Sequence, residues 1–219
     1  MWTIFIQACI FVMDDKNLNR VQKYGEVFTS QREVVNMLKL VDNECNRIDS
    51  RFLEPACGTG NFLVEILKLK LAQVNRSYGR SQHEYERNAI LALSSIYGID
   101  ILEDNIKQCK DHLLNIFKDS YIKKFGKNFK QRCVDSAKFI INKNIIWGDA
   151  LTYKTCGRST EPIVFTEWSF VNHSMVQRNQ YIFSELLRDK KNENNSDTSE
   201  NLIPLPSKTL KLMHFLEIE

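Results

Sequence analysis

The stretch from Arg51 to Leu67 constrains this chain more than any other. Arg51-Phe-Leu-Glu54 is a short apolar run ending in an acid, and Pro55-Ala-Cys-Gly-Thr-Gly60 is a cluster of backbone breakers. Phe62-Leu-Val-Glu-Ile-Leu67 then has the apolar spacing of a helix. The order predicts a strand, a tight turn and a helix. Few folds accept that unit except as part of a βαβ array.

The remainder repeats the cycle. Apolar spacing predicts helices over 85–93, 104–117 and 129–142. Strands are predicted at Ser95-Ile-Tyr-Gly-Ile-Asp100, at Asn144-Ile-Ile-Trp147 ending in Gly148-Asp149, and at Pro162-Ile-Val-Phe165 running into Thr166-Glu-Trp-Ser-Phe170. Upstream, Val34, Val35, Leu38, Val41 and Cys45 lie on one helical face, with Thr29 or Ser30 as the N-cap. Strands that alternate with helices and end in acids predict an α/β fold with a doubly wound, mostly parallel sheet.

At 219 residues and 43% hydrophobic, the chain is long enough for one well-cored domain. A net charge of +3 excludes a histone-like or polybasic protein while permitting an anionic partner. Six scattered cysteines without a Cys-x-x-Cys pair, and four isolated histidines, predict neither a disulfide framework nor a metal site. That usage points to a reducing, cytoplasmic setting. The apolar start, 1–12, is too short to span a bilayer, which needs about 20 apolar residues. It is expected to be a translation-start extension outside the fold, with no membrane partner. The organisation expected is an N-terminal extension over 1–23, a central domain over 24–187, and a polar linker with a short C-terminal segment over 188–219. The final stretch from Leu202 is expected to pack back as a strand or helix, or to be the ragged end of a truncated chain.

In an open parallel sheet, ligands bind beyond the carboxyl ends of the strands. Glu54, Asp100 and Asp149 all fall at such ends, so three carboxylates and a glycine turn are expected in one crevice. Gly58 and Gly60 allow close backbone approach and expose helix N-terminal N–H groups. An acid at the second strand end suits a ribose diol, and one at the third suits an exocyclic amine. Glu54 beside the turn would repel a pyrophosphate. The ligand implied is an adenine nucleoside without a phosphate chain. A bare Gly-x-Gly is often only a turn, and acids at strand ends are often caps. NAD fits less well, because its fingerprint needs a third glycine where Leu63 stands.

Phe52-Leu-Glu-Pro-Ala-Cys-Gly-Thr-Gly-Asn-Phe-Leu63 resembles the S-adenosylmethionine-binding motif of class I methyltransferases, and in particular of the adenine-N6 DNA methyltransferases of restriction–modification systems. Gly25-Glu-Val-Phe-Thr-Ser30 resembles the motif those enzymes place before the first strand. The resemblance runs from about Tyr24 to Phe170 and implies a Rossmann-like methyltransferase fold with S-adenosyl-L-methionine as cofactor. It gives Thr29 to the methionine carboxylate. Glu54 and the backbone of Ala56, Gly58 and Gly60 go to the amino-acid part of the cofactor. Asp100 goes to the ribose, with Ile101 on one adenine face, and Asp149 goes to the adenine amine, with Ala150 and Leu151 beside it.

The catalytic tetrapeptide of that family, Asn or Asp, Pro, Pro, then Tyr or Phe, is missing. Glu167-Trp-Ser-Phe170 stands in its place. One reading keeps activity: Glu167 accepts from the target N6, and Phe170 or Trp168 stacks on a flipped base. The other has Trp168 and Phe170 packing a strand end. No region for reading base edges follows, so DNA is expected as partner through a separate target-recognition or modification subunit. The function implied is adenine-N6 DNA methylation, or the cofactor-binding part of such an enzyme. A degenerate assembly subunit, and an RNA or protein methyltransferase, are the alternatives. The basic segment 118–132, with Tyr121, Phe125 and Phe129 interleaved, is either a nucleic-acid contact or a solvated helix face whose aromatics turn to the core.

Overall fold

The computed structural model describes residues 2–4, 31–188 and 205–218. The opening helical pattern forms α1 (Gln31–Lys39) and α2 (Asp42–Cys45). The strand–turn–helix unit follows as β2 (Arg51–Glu54) and α3 (Asn61–Tyr78), with β1 (Trp2–Ile4) lying beside β2. Next come α4 (Gln82–Ser94), β3 (Ile96–Asp100), α5 (Glu103–Phe125), α6 (Gln131–Asn144) and β4 (Ile145–Asp149). A short β5 (Lys154–Thr155) precedes β6 (Val164–Phe170), β7 (Met175–Ile182), α7 (Phe183–Arg188) and β8 (Lys208–His214). The polar run 189–200 and the motif carrying Thr29 lie outside the described residues.

One sheet has the order β1-β2-β3-β4-β5, with β1 to β4 parallel and β5 antiparallel. Alternate side chains of a strand face opposite sides. Phe52, Ile96 and Ile145 join Leu63, Ile66, Ala89, Leu113 and Ile140 in a core shared with α3 to α6. Leu53, Tyr97 and Ile99 face the other way, against Ile163, Phe165 and Phe183. Each Leu, Ile or Phe side chain among them contributes about 1.5–3 kcal/mol on burial. This is a mixed α/β fold with a mostly parallel sheet, as the alternation of patterns predicts.

Two expectations need correction. The segment expected as a fourth parallel strand, β6, instead pairs antiparallel with β7, and β7 with β8, in a separate sheet. A parallel return needs a crossover of a dozen or more residues, usually helical. The link from Asp149 to Val164 spends its length otherwise: Lys154 and Thr155 pair back on β4, and Ile163 N–H donates to Tyr153 O (2.9 Å). The second correction concerns the start. Trp2–Ile4 is paired with Arg51–Leu53 on the free side of β2, whereas 1–12 was expected to stay outside the fold.

The amino ends of the strands are stitched by buried polar groups. Lys70 of α3, fully buried, donates to Ile48 O, Ser50 O and Ser95 Oγ, tying the helix to the chain just before β2 and β3. Burial pulls its ammonium down from 10.5 to about 7. Asn144 donates to Ser94 O (3.1 Å) and Ile96 O (3.0 Å). In the basic segment, Tyr121 is buried with its hydroxyl on Glu86, and Phe125 and Phe129 meet its ring edge-on. The aromatics of this segment therefore face protein, while Lys118, Lys123, Lys124 and Lys127 are exposed.

Candidate functional site at the carboxyl ends of the strands

Strand register decides which acids share a crevice. Glu54 pairs with Gly98, Gly98 with Ile145, and Asp100 with Trp147. Asp100 therefore stands two residues beyond the level of Glu54, and Asp149 two beyond that of Asp100. With strands about 4.8 Å apart and a rise of about 3.3 Å per residue, the three form a staircase roughly 16 Å long between Cα positions. All three share the pleat parity of Phe52, Ile96 and Ile145, the side from which α3 and α5 spring. A ligand along this staircase must be elongated, with different polar groups at each end.

The three acids differ in what they have left to offer. Asp100 is nearly filled: Oδ2 accepts from Gly58 N–H (2.8 Å), and Oδ1 accepts from Leu102 N–H (2.8 Å) and Asn105 Nδ2 (3.3 Å). It locks the glycine turn to the start of α5. Asp149 accepts from Leu151 N–H (2.8 Å) and Thr152 Oγ1 (2.9 Å), shaping the turn after β4. Each keeps lone pairs for a further donor. Glu54 is different. It is 3% exposed, Oε1 has only a long bond from Ala56 N–H (3.3 Å), and Oε2 is buried with no partner among the described residues. Desolvation raises its carboxyl from 4.5 to about 7, against the lowering effect of the Ala56 bond.

The turn itself is built for close approach. Gly58 and Gly60 have φ of 52° and 87°, in the left-handed region that glycine enters without steric cost. A Cβ on Gly60 would lie 2.5 Å from Cys109 Sγ, so α5 packs directly on the turn. A Cβ on Gly58 would meet nothing within 4 Å among the described residues, which leave space beside that backbone. Helix α3 begins at Gly60 with no side-chain cap and no acid in its first turn. Its first N–H groups are thus available to an acceptor in the crevice.

Apolar surface flanks the far end of the staircase. Ile101 is 45% exposed and Leu151 is 88% exposed, with Ala150 and Trp147 partly buried nearby and Trp147 Nε1 donating to Ile101 O (2.9 Å). Ala56 is exposed at the lip of the turn. The structure thus brings Glu54, Ala56, Gly58, Gly60, Asp100, Ile101, Asp149, Ala150 and Leu151 to one edge of one sheet.

Glu167, Trp168 and Phe170 are not part of that edge. Because β6 runs antiparallel to β7, outside the parallel sheet, it carries them to the opposite end. Glu167 pairs with Arg51, the first residue of β2, and accepts from Tyr181 OH (3.0 Å). Trp168 is 5% exposed, donates to Asn144 Oδ1 (2.9 Å) and meets Phe139 edge-on. Phe170 lies beneath the Arg87 guanidinium (4.7 Å) and beside Phe215. A buried, hydrogen-bonded indole has no face free to stack on a base. The geometry matches the packing alternative for these residues.

Three residues that the sequence reading left out support the site. Asn105 holds Asp100, Cys109 backs Gly60, and His112 Nδ1 lies 2.9 Å from Thr59 O. Their spacing of four and three puts them on one face of α5, a periodic signal present in the sequence. Among the described residues, no group of three or more His, Cys, Asp or Glu is placed to hold a metal ion, and no helix is long and apolar enough to cross a membrane. No protein-family model, curated protein or solved structure matches the chain.

Proposed function

We propose that the carboxyl edge of the sheet binds S-adenosyl-L-methionine, and that the chain is the cofactor-binding part of an adenine-N6 DNA methyltransferase with a Rossmann-like, doubly wound architecture. The observation that carries this reading is the buried, unpartnered Oε2 of Glu54 beside an open glycine turn. A carboxylate oxygen so placed needs a donor, and an amino acid's ammonium supplies one. Asp100 and Asp149, staggered along the staircase, retain lone pairs for ribose hydroxyls and an adenine amine. Ile101 and Leu151 offer apolar surface for the base. The cofactor, when bound, contributes a sulfonium methyl that is already electrophilic. The work of these residues is to hold and orient it and to exclude water.

The position of β6 favours the cofactor-binding part over a self-sufficient enzyme. Residues that accept from a target adenine and stack on it have to stand at the carboxyl edge. Glu167, Trp168 and Phe170 stand at the other. The target-binding residues then come from a partner subunit that also engages DNA. A protein or RNA methyltransferase would use the same cofactor edge. Radiolabelled methyl transfer to DNA, RNA or protein in a host lysate separates these cases.

Calorimetric titration with S-adenosylmethionine and S-adenosylhomocysteine tests the binding. Micromolar to millimolar affinity is expected, weakened at least tenfold by Asp100→Ala. Absence of binding by both ligands at millimolar concentration would overturn the reading.

A further inference from the structure

We infer that ligand entry at Glu54 is coupled to proton release, so that the site takes its ligand as a cation-for-proton exchange. The inference rests on the proposed binding of an amino-acid-bearing nucleoside and concerns how that site is regulated. Its basis is geometric. Glu54 is 3% exposed, and among the described residues its Oε2 has no donor and its Oε1 has a single long bond, at 3.3 Å. Among the described residues, no cation is paired with it. The carboxyl in the ligand-free protein is therefore more stable protonated than an exposed one would be, in line with the rise to about 7 that desolvation produces. A ligand ammonium placed on Oε2 reverses that balance, because an ion pair favours the charged carboxylate. The proton then leaves Glu54 for bulk solvent as the ligand binds.

Other titratable groups stand around the turn. Asp100 accepts from Gly58 N–H, Leu102 N–H and Asn105 Nδ2. Cys57 and Cys109 are buried thiols, and Cys57 is pushed well above its ordinary value by Cys109 and by burial. From α5, the imidazole of His112 stands beside Thr59 O. From α3 and the turn, no further charged side chain is paired with Glu54.

The test is titration of the full chain with S-adenosylhomocysteine from pH 6 to 8.5, in buffers of differing ionisation enthalpy. Linkage predicts release of about 0.9 proton at pH 6, about half a proton at pH 7, and about tenfold weaker binding at pH 6 than at pH 8. His112→Asn should leave that dependence in place, and Glu54→Gln should abolish it. The nucleoside 5′-methylthioadenosine, which lacks the ammonium, should bind without releasing a proton. Binding of S-adenosylhomocysteine with no proton release in the wild-type chain overturns the inference while leaving the cofactor reading intact. A pH dependence that vanishes in His112→Asn overturns it as well. Failure of both nucleosides to bind at any pH overturns the cofactor reading and the inference together. Should Glu54→Gln fail to fold by circular dichroism, the wild-type buffer series and the methylthioadenosine control still decide.

Discussion

The two ends of the parallel sheet are made of the same kinds of residue and are finished in opposite ways. At the amino end, Lys70 has three acceptors, Asn144 bridges Ser94, Ile96 and Trp168, and Arg51 pairs with Glu167. At the carboxyl end, Glu54 is buried with an oxygen left over. Among the described residues, the two other buried unpartnered atoms are the Nε of Arg87 and of Arg178, and each guanidinium has four further N–H donors. A carboxylate has only two oxygens. Saturated polar groups tie down the amino end, and the unsatisfied carboxylate oxygen is what singles out the carboxyl end as the candidate site. The same contrast shows why acidity and aromaticity near a strand end do not suffice to identify a site. Glu167 and Glu54 both terminate apolar runs, and only one faces the crevice.

The sharpest way to break this comparison is at Trp168. Trp168→Ala removes a buried indole and its bond to Asn144, and should cost about 3–5 kcal/mol by denaturant unfolding. Cofactor affinity of the folded fraction should be unchanged. A selective loss of binding at preserved stability would return Trp168 to the functional site. Next in size, Gly60→Ala drives a Cβ into Cys109 at a φ of 87° and should cost about 2–4 kcal/mol, with loss of ligand binding. Gly58→Ala, in open space, should cost only about 1 kcal/mol.

The two ends should also answer pH differently. Between 4.5 and about 7 the folded chain holds a proton on Glu54 that the unfolded chain has lost, so ligand-free stability falls as pH rises through that window, by up to about 3 kcal/mol. Glu54→Gln should flatten this slope in urea unfolding followed from pH 5 to 8. Lys70 behaves in the opposite sense. From about 7 to 10.5 the unfolded chain binds the proton that buried Lys70 has released, so stability rises with pH there. Lys70→Met should remove that rise, and should cost about 3 kcal/mol at pH 7 by stranding its three acceptors. A comparably small effect is expected at Glu167→Gln. Its pair with Arg51 is partly exposed, with side chains 26% and 16% accessible, so the loss should be about 1 kcal/mol with cofactor affinity intact. A large fall in affinity there would contradict the division of the molecule into a structural and a ligand-binding end.

Much of the site was legible before any coordinates. The breaker cluster after Glu54 and the acids closing Ile96–Asp100 and Ile145–Asp149 placed three carboxylates at one sheet edge. Period-two strands and period-3.6 helices are local properties, and acids at strand ends inherit their position from them. The supporting face of α5, Asn105, Cys109 and His112, was equally periodic but had no local reason to be singled out. The direction of β6 was the main failure. An apolar run such as 163–165 fits a buried strand in either orientation.

What the sequence alone determined is the alternation of strand and helix, the glycine turn and the edge on which Glu54, Asp100 and Asp149 gather. Each follows from interactions within a few residues along the chain. Only the tertiary structure decided that Glu167, Trp168 and Phe170 belong to the opposite edge, and that Glu54, of the three acids, has a buried oxygen with no partner among the described residues. Strand direction depends on how a connecting segment closes between distant elements. Whether a carboxylate is satisfied depends on donors brought to it from elsewhere in the fold, which local periodicity does not encode.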